Sequence, residues 1–251
     1  MLLDTGTSEI PRGRWSEAQA YEQAFWERLG ADMQAGAKDD LGWYAWRAGQ
    51  LERRLDALPG PRPRAGQVLE IGSGPIGIVN FMEWGERYAI DPLEHFYRTQ
   101  PSLVGLRRPG VTYIDGSGEK LPFDDASCSL VIIDNVIDHT YAPRRILDEI
   151  HRVLKADGKM YLVVNVHTAW GAQLHAILAA LRIDKGHPFT FTSRTLRPFL
   201  ADSGFTVLTE EIEDYREAKR NDCRSPSLRA RLKGYTGLSE FAHIVVCSRR
   251  P

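Results

Sequence analysis

A chain of 251 residues with a formal net charge of −1, 43% hydrophobic and 26% charged residues, is long enough for one large α/β domain with additions or for two small ones. The near-neutral balance excludes a general attraction to nucleic acid or to an anionic membrane, and three scattered cysteines, Cys128, Cys223 and Cys247, with no C-x-x-C pair, exclude a disulfide framework and a thiolate zinc site. No apolar run reaches the roughly 18 residues of a membrane span, and "MLLDTGTSEIPRGRW" has no apolar core of a signal peptide, so the expectation is a cytoplasmic protein without a membrane partner.

The first 60 residues read as helical. In "SEAQAYEQAFWERLGADM" Tyr21, Phe25, Leu29 and Met33 recur every four residues as one helical stripe, and in "DLGWYAWRAGQLERRLDAL" Leu41, Tyr44, Ala48, Leu51, Leu55 and Leu58 form a second. Trp26, Trp43 and Trp46 fall off these stripes and are free to face a ligand, with Arg47 able to reach a carboxylate. "PGPRPRAG", Pro59 to Gly66, is the best candidate boundary.

Beyond it, strands are predicted at 67–71, 87–91, 111–115, 129–134, 159–166, 205–213 and 241–248. "APRRILDEIHRVLKADG" predicts a helix with Pro143 in its first turn, Ile146, Leu147, Ile150, Val153 and Leu154 on its apolar face, and Gly158 just past its end. "TAWGAQLHAILAALR" and "SRTLRPFLADSGF" read as two more. Alternating strands and helices with near-continuous apolar strands imply an α/β fold, a doubly wound, mostly parallel sheet, whose ligands sit at the carboxyl ends of the strands. Residues at about 214–239 carry Arg216, Lys219, Arg220, Arg224, Arg229, Arg231 and Lys233 against Glu217 and Asp222. This basic insertion reads as a solvated connection, with a cap over an acceptor site or an anion-binding face as the functional alternative.

"VLEIGSGPIGIV", Val68 to Val79, spells G-x-G-x-x-G through Gly72, Gly74 and Gly77 between a strand and a predicted helical stretch. Asp91, at the end of the next strand, is the acid expected to hydrogen-bond ribose hydroxyls. NAD and S-adenosylmethionine are equally served up to this point. Glu70 separates them, because a carboxylate beside the turn repels a pyrophosphate but suits a cationic sulfonium and ammonium, which it can support directly or through the loop backbone.

Three blocks then occur in order over about 100 residues (68–166): "VLEIGSGPIG"; "GSGEKLPFDDASCSLVIIDNVIDH", Gly116 to His139; and "LDEIHRVLKADGKMYLVV", Leu147 to Val164. Together they resemble the class I S-adenosylmethionine-dependent methyltransferases of the small-molecule, methyltransferase 11-like branch. The chain departs from that pattern at Ser117, where Asp or Asn is frequent, at Ala156-Asp157-Gly158 for Pro-Gly-Gly, and at Cys128 for Phe. The resemblance implies a Rossmann-like sheet of order 3-2-1-4-5-7-6 with the final strand antiparallel. It also implies a helical N-terminal lid or substrate cap over residues 1–60 and a cofactor-binding domain over 61–251.

By the same resemblance, Gly72, Ser73 and Gly74 cradle the methionine portion of S-adenosylmethionine with Glu70 behind. Asp91 binds the ribose, Ser117, Gly118 and Glu119 flank the adenine, and Asp134 and Asn135 line the methionyl end. His139 and His167, each just past a strand on the same rim, are the candidate general bases, since imidazole titrates near neutrality. His187, before Pro188, reads as a turn histidine and His151 as structural. The expected reaction is O-, N- or C-methylation of a small-molecule acceptor, specialised or sugar-like, with no nucleic-acid partner and no metal. An inactive cofactor-binding scaffold and an NAD-dependent oxidoreductase are the alternatives.

Overall fold

The computed structural model describes residues 9–36, 42–59 and 65–250. Leu41 of the second stripe and residues 60–64 of the predicted boundary lie outside the described residues. Helices α1 (Arg12–Gln34) and α2 (Trp43–Asp56) come first, followed by β1 (Gln67–Ile71), β2 (Glu86–Asp91), the one-turn helices α3 (Glu94–Tyr97) and α4 (Pro101–Val104), and β3 (Val111–Asp115). Then come β4 (Cys128–Asp134), α5 (Pro143–Val153), β5 (Leu154–Val166), α6 (Ala169–Ala180), α7 (Ser193–Asp202), β6 (Phe205–Ile212), α8 (Tyr215–Arg224), α9 (Leu228–Thr236) and β7 (Phe241–Arg249). The strands make one seven-stranded sheet of order β3-β2-β1-β4-β5-β7-β6. All pairs are parallel except those of β7, which runs antiparallel to β5 and β6. Among the described residues no helix is long and apolar enough to cross a membrane.

Alternation along the central strands sends side chains into two separate cores. Leu69, Ile71, Val131 and Ile133 face one side, where α5 contributes Ile146, Leu147 and Ile150, and α7 contributes Leu196, Phe199 and Leu200. Val68, Leu130 and Ile132 face the other, where α2 lays down Tyr44, Ala48, Leu51 and Leu55, α1 adds Trp26, and β7 adds Ile244 and Val246. Each such fully buried aliphatic side chain contributes about 1.5–3 kcal/mol. Both faces are thereby covered, as a parallel sheet requires.

Four local expectations change. The helical stretch after the glycine loop is only a 3₁₀ turn, Ile78–Phe81. Residues 78–85 must hold the whole return to β2, which leaves no length for a packed helix, and α2 covers that face instead. Helix α5 ends at Val153, because Leu154 already pairs with Cys128 across a register shift in the β4–β5 ladder. On α1 the buried positions are Ala18, Trp26 and Gly30, while Phe25 is 44% exposed. The Trp26 indole selects that face, packing edge-on against Tyr97 at 5.9 Å. Within the basic insertion the chain forms two helices, α8 and α9, started by the side-chain caps of Asp214 and Ser227.

Candidate functional site

The chain leaves β1 at Ile71 and turns at once. Gly72 has φ +66°, and its N–H donates to Ile90 O at 2.8 Å. A Cβ on it would clash with Val136 Cγ2, so only glycine fits both the backbone conformation and the contact. Gly74, at φ +59°, is as tightly covered: a Cβ there would lie 2.6 Å from Tyr44 Oη and 3.2 Å from the Trp26 ring. Tyr44 Oη donates to Ser73 O at 3.2 Å. The N-terminal helices therefore sit directly on the glycine loop.

Glu70 is 2% exposed, and its Oε2 accepts from Val79 N at 2.9 Å. It shapes the loop by capping the turn that follows. Burial pushes its carboxyl up to about 8 despite the backbone donors. Asp91, 7% exposed, accepts from Gly74 N through Oδ2 at 2.9 Å and from Leu93 N through Oδ1 at 2.8 Å. Burial raises it to about 7. At the end of β4, Asp134 pairs with Arg47 of α2 and accepts from Asn135 Nδ2 at 3.0 Å. Burial lifts its carboxyl to about 6 against the pull of the guanidinium. Asn135 adopts φ +55°, a conformation asparagine tolerates, and its Oδ1 is buried with no hydrogen-bond partner among the described residues. Glu119 Oε1 accepts from Tyr141 N at 2.9 Å and Ala142 N at 3.2 Å, tying the 117–119 turn to the start of α5.

Glu70, Gly72, Ser73, Gly74, Asp91, Ser117, Gly118, Glu119, Asp134 and Asn135 all line one cleft of about 290 Å³, with His139 and, from the N-terminal helices, Trp15, Phe25, Trp26, Trp43, Tyr44 and Arg47. It opens at the carboxyl ends of β1, β2 and β4. Its acids are Glu22, Glu70, Asp91, Glu119 and Asp134, and among the described lining residues Arg47 is the one guanidinium or ammonium group. Such a surface favours a ligand carrying positive charge and opposes a pyrophosphate.

His167 is not brought to this cleft. Its N–H donates to Phe191 O at 3.0 Å, which turns the chain after β5 toward the 189–191 segment. The imidazole, 5% exposed, stacks on His175 at 4.8 Å and stands 3.6 Å from Glu240. It lines a second cavity of about 500 Å³ with Leu228 and Leu232 of α9. Burial lowers its pKa to about 4, so the ring is neutral. Trp43 is at the cleft, half-exposed, and Trp46 is outside it. One cleft contact escapes a reading by periodicity: Tyr44 sits on the apolar stripe yet spends its hydroxyl on the loop, whereas Trp26, off the stripe, lines the cleft as expected. A tyrosine in an apolar stripe was the available signal, since a buried hydroxyl needs a partner.

Residues 69–162 match the Methyltransf_11 family model, described as a methyltransferase domain. The chain is 32% identical over 110 residues to an uncharacterized methyltransferase of Mycobacteroides abscessus, an alignment covering 43% of this chain and 41% of that protein. The chain thus spans well under half the length of that relative. It is 28% identical over 222 residues to an uncharacterized protein of Mycobacterium bovis, covering 83% of this chain and 72% of the other. The fold is similar to that of geranyl diphosphate C-methyltransferase from Streptomyces coelicolor, solved with Mg2+, geranyl diphosphate and S-adenosyl-L-homocysteine. The TM-score is 0.58 at 12% identity, over 81% of this chain and 80% of that one. At that identity the likeness concerns the fold alone.

Proposed function

We propose, from the methyltransferase-domain match over residues 69–162, that the chain is a class I, S-adenosylmethionine-dependent enzyme that methylates a small-molecule acceptor, with the 290 Å³ cleft as the cofactor site. The observation that carries the reading is the convergence of ten residues, singled out from four separated stretches of the sequence, on one acid-lined cleft at the strand ends. The residues fit the group. Asn135 Oδ1 is a buried acceptor that awaits a donor, and the surrounding carboxylates suit an ammonium and a sulfonium.

When bound, S-adenosylmethionine supplies an electrophilic methyl group on a cationic sulfur. The glycine loop and Asp134–Asn135 hold the methionyl end. Asp91 holds the ribose hydroxyls: an ionised carboxylate offers about four acceptor sites, and the two backbone donors leave the rest available. Ser117 to Glu119 border the adenine. Residues of α1 and α2 cap the cleft and keep water from it, which strengthens the electrostatics inside. Alignment of acceptor and methyl group provides most of the rate, and where the acceptor must lose a proton, His139, on the cleft wall, takes it so long as its imidazole is not engaged as a metal ligand. The aromatic side chains at the mouth, Trp15, Phe25 and Trp43, favour a compact, largely uncharged or cationic acceptor, because the lining acids repel anions. A near-neutral chain supports a metabolite over a nucleic acid.

Calorimetric titration with S-adenosylhomocysteine, with NAD as the control, tests the cofactor. Binding that is lost in Asp91→Ala, with no heat from NAD, is expected. NAD heat without S-adenosylhomocysteine binding sinks the proposal, and cofactor binding without turnover on a broad acceptor panel favours the scaffold role.

A further inference from the structure

Between the cleft and the second cavity runs a row of imidazoles. His139 lies 4.3 Å from His187, His187 lies 6.1 Å from His175, and His175 lies 4.8 Å from His167, ring centre to ring centre. Asp138 stands at the cleft end of this row. Its side chain is 8% exposed, and its Oδ1 is buried with no hydrogen-bond partner among the described residues. His139 Nε2 stands 4.0 Å away, beyond hydrogen-bond range. A buried carboxylate oxygen without a donor is unfavourable unless a cation or a proton completes it.

We propose that Asp138, His139 and His187 form a binding site for a divalent transition-metal cation, Zn2+ being the one the donor set suits best. One ligand atom from each of the three residues lies within 4.8 Å of the other two. Metal–nitrogen and metal–oxygen bonds of about 2.0–2.2 Å need these atoms to draw in by about 1 Å, a movement within reach of side-chain rotation. Two imidazoles and one carboxylate are a set for Zn2+ or its neighbours rather than for Mg2+ or Ca2+, which take oxygen ligands.

The surroundings are those of a held ligand. His187 Nδ1 stands 3.1 and 3.2 Å from the two oxygens of Asp184, and Asp184 Oδ1 also accepts the backbone N–H groups of Gly186 and His187. A ligating histidine commonly has its other nitrogen fixed in this way by a carboxylate. His175, Asp184 and His187 also cluster closely enough for a metal. There, however, His175 Nδ1 is already bonded to Thr190 Oγ1 at 2.7 Å and its Nε2 stands 3.3 Å from Asp184, so this second group orients the first. Because His139 lines the cleft, a cation held by three protein ligands keeps a coordination position for an acceptor oxygen or nitrogen. That last use rests on the methyl-transfer reading; the metal site itself does not.

The rival account is an imidazolium at His187 balancing Asp184 and Asp138 with no metal. Tag-free protein stripped with a chelator, then titrated with Co2+ and competed with Zn2+, separates the two. Expected are one equivalent of Co2+ with visible d–d absorption, its displacement by Zn2+, no competition by Mg2+, and weakening of about tenfold or more in Asp138→Asn and His187→Gln. His95→Gln, on the exposed surface, should bind as the parent does. Absence of d–d bands in the parent, or unchanged Co2+ affinity in the near-isosteric Asp138→Asn, overturns the site even if His187→Gln fails to fold. Unchanged metal binding alongside failed S-adenosylhomocysteine binding would sink the function proposed above and leave this site standing.

Discussion

Glu70, Asp91 and Asp134 are pushed up by burial to about 8, 7 and 6, and two consequences have defined signs. A cationic ligand stabilises their ionised forms and lowers those values on binding, so affinity for S-adenosylmethionine should rise as pH climbs from 6 to 8 and then level off. Titrations across that range check it, and a flat profile would refute it. For folding, groups whose native pKa is raised stabilise the protein fully below their unfolded value near 4, and that contribution fades as pH rises through the native values. The ligand-free protein should therefore melt at progressively lower temperature between pH 5 and 8, and added ligand should flatten the trend. Asp91→Ala, which removes an acceptor of charge-assisted bonds worth about 1.5–3 kcal/mol each, should weaken S-adenosylhomocysteine binding at least tenfold. The convergence of Gly72, Glu70 and Asp91 on one turn was legible because a strand, a turn and the next strand end impose local geometry on nearby residues. His167 was not, since the direction of the chain after β5 is set by a hydrogen bond to Phe191, 24 positions on. His187 was read as a turn residue for the same reason: its neighbours His139 and Asp138 come from the other side of β5.

Helix α2 joins core and site. Leu51 is fully buried in its apolar face, and Leu51→Ala should cost about 2–5 kcal/mol in denaturant unfolding. One turn earlier Arg47 pairs with Asp134, its own side chain about 30% exposed and the acid 5%. Arg47→Met should cost about 1–3 kcal/mol, less than a fully buried pair because solvent screens the guanidinium. It should also push the Asp134 carboxyl above its present value of about 6, shifting the pH profile of binding upward. If that profile stays put, Arg47 does not govern the site. The strands and the helices α5, α6 and α7 were legible because period and breakers agree along them. The face of α1 was misjudged because a period-four apolar stripe competes with one large indole, and the indole found the cleft. The missing β1–β2 helix is a matter of length that the glycine motif does not encode.

At the scale of the whole chain, strand order follows from the alternation of strands and helices together with a motif resemblance, whereas the cleft is lined by α1, α2 and strand-end loops whose juxtaposition no short motif records. If the cleft is the cofactor site, ligand at 100 times its dissociation constant should stabilise the protein by about 2.7 kcal/mol, visible as a rise in melting temperature that Gly74→Ala abolishes. The added methyl group there would press on Tyr44 and Trp26.

The face of the sheet covered by α2 also contains Ile244 and Val246 of β7, and Arg54 of α2 reaches Glu211 of β6 at 2.6 Å. During synthesis α2 emerges well before β6 and β7 and must wait for them. Until residue 246 has emerged, Leu51 and Leu55 have an incomplete seat, and contacts this distant in sequence form slowly. Nascent chains stalled before β7 should be cut by protease around residues 42–59 and protected once that strand is released, so the seat of α2 closes only after β7 has emerged.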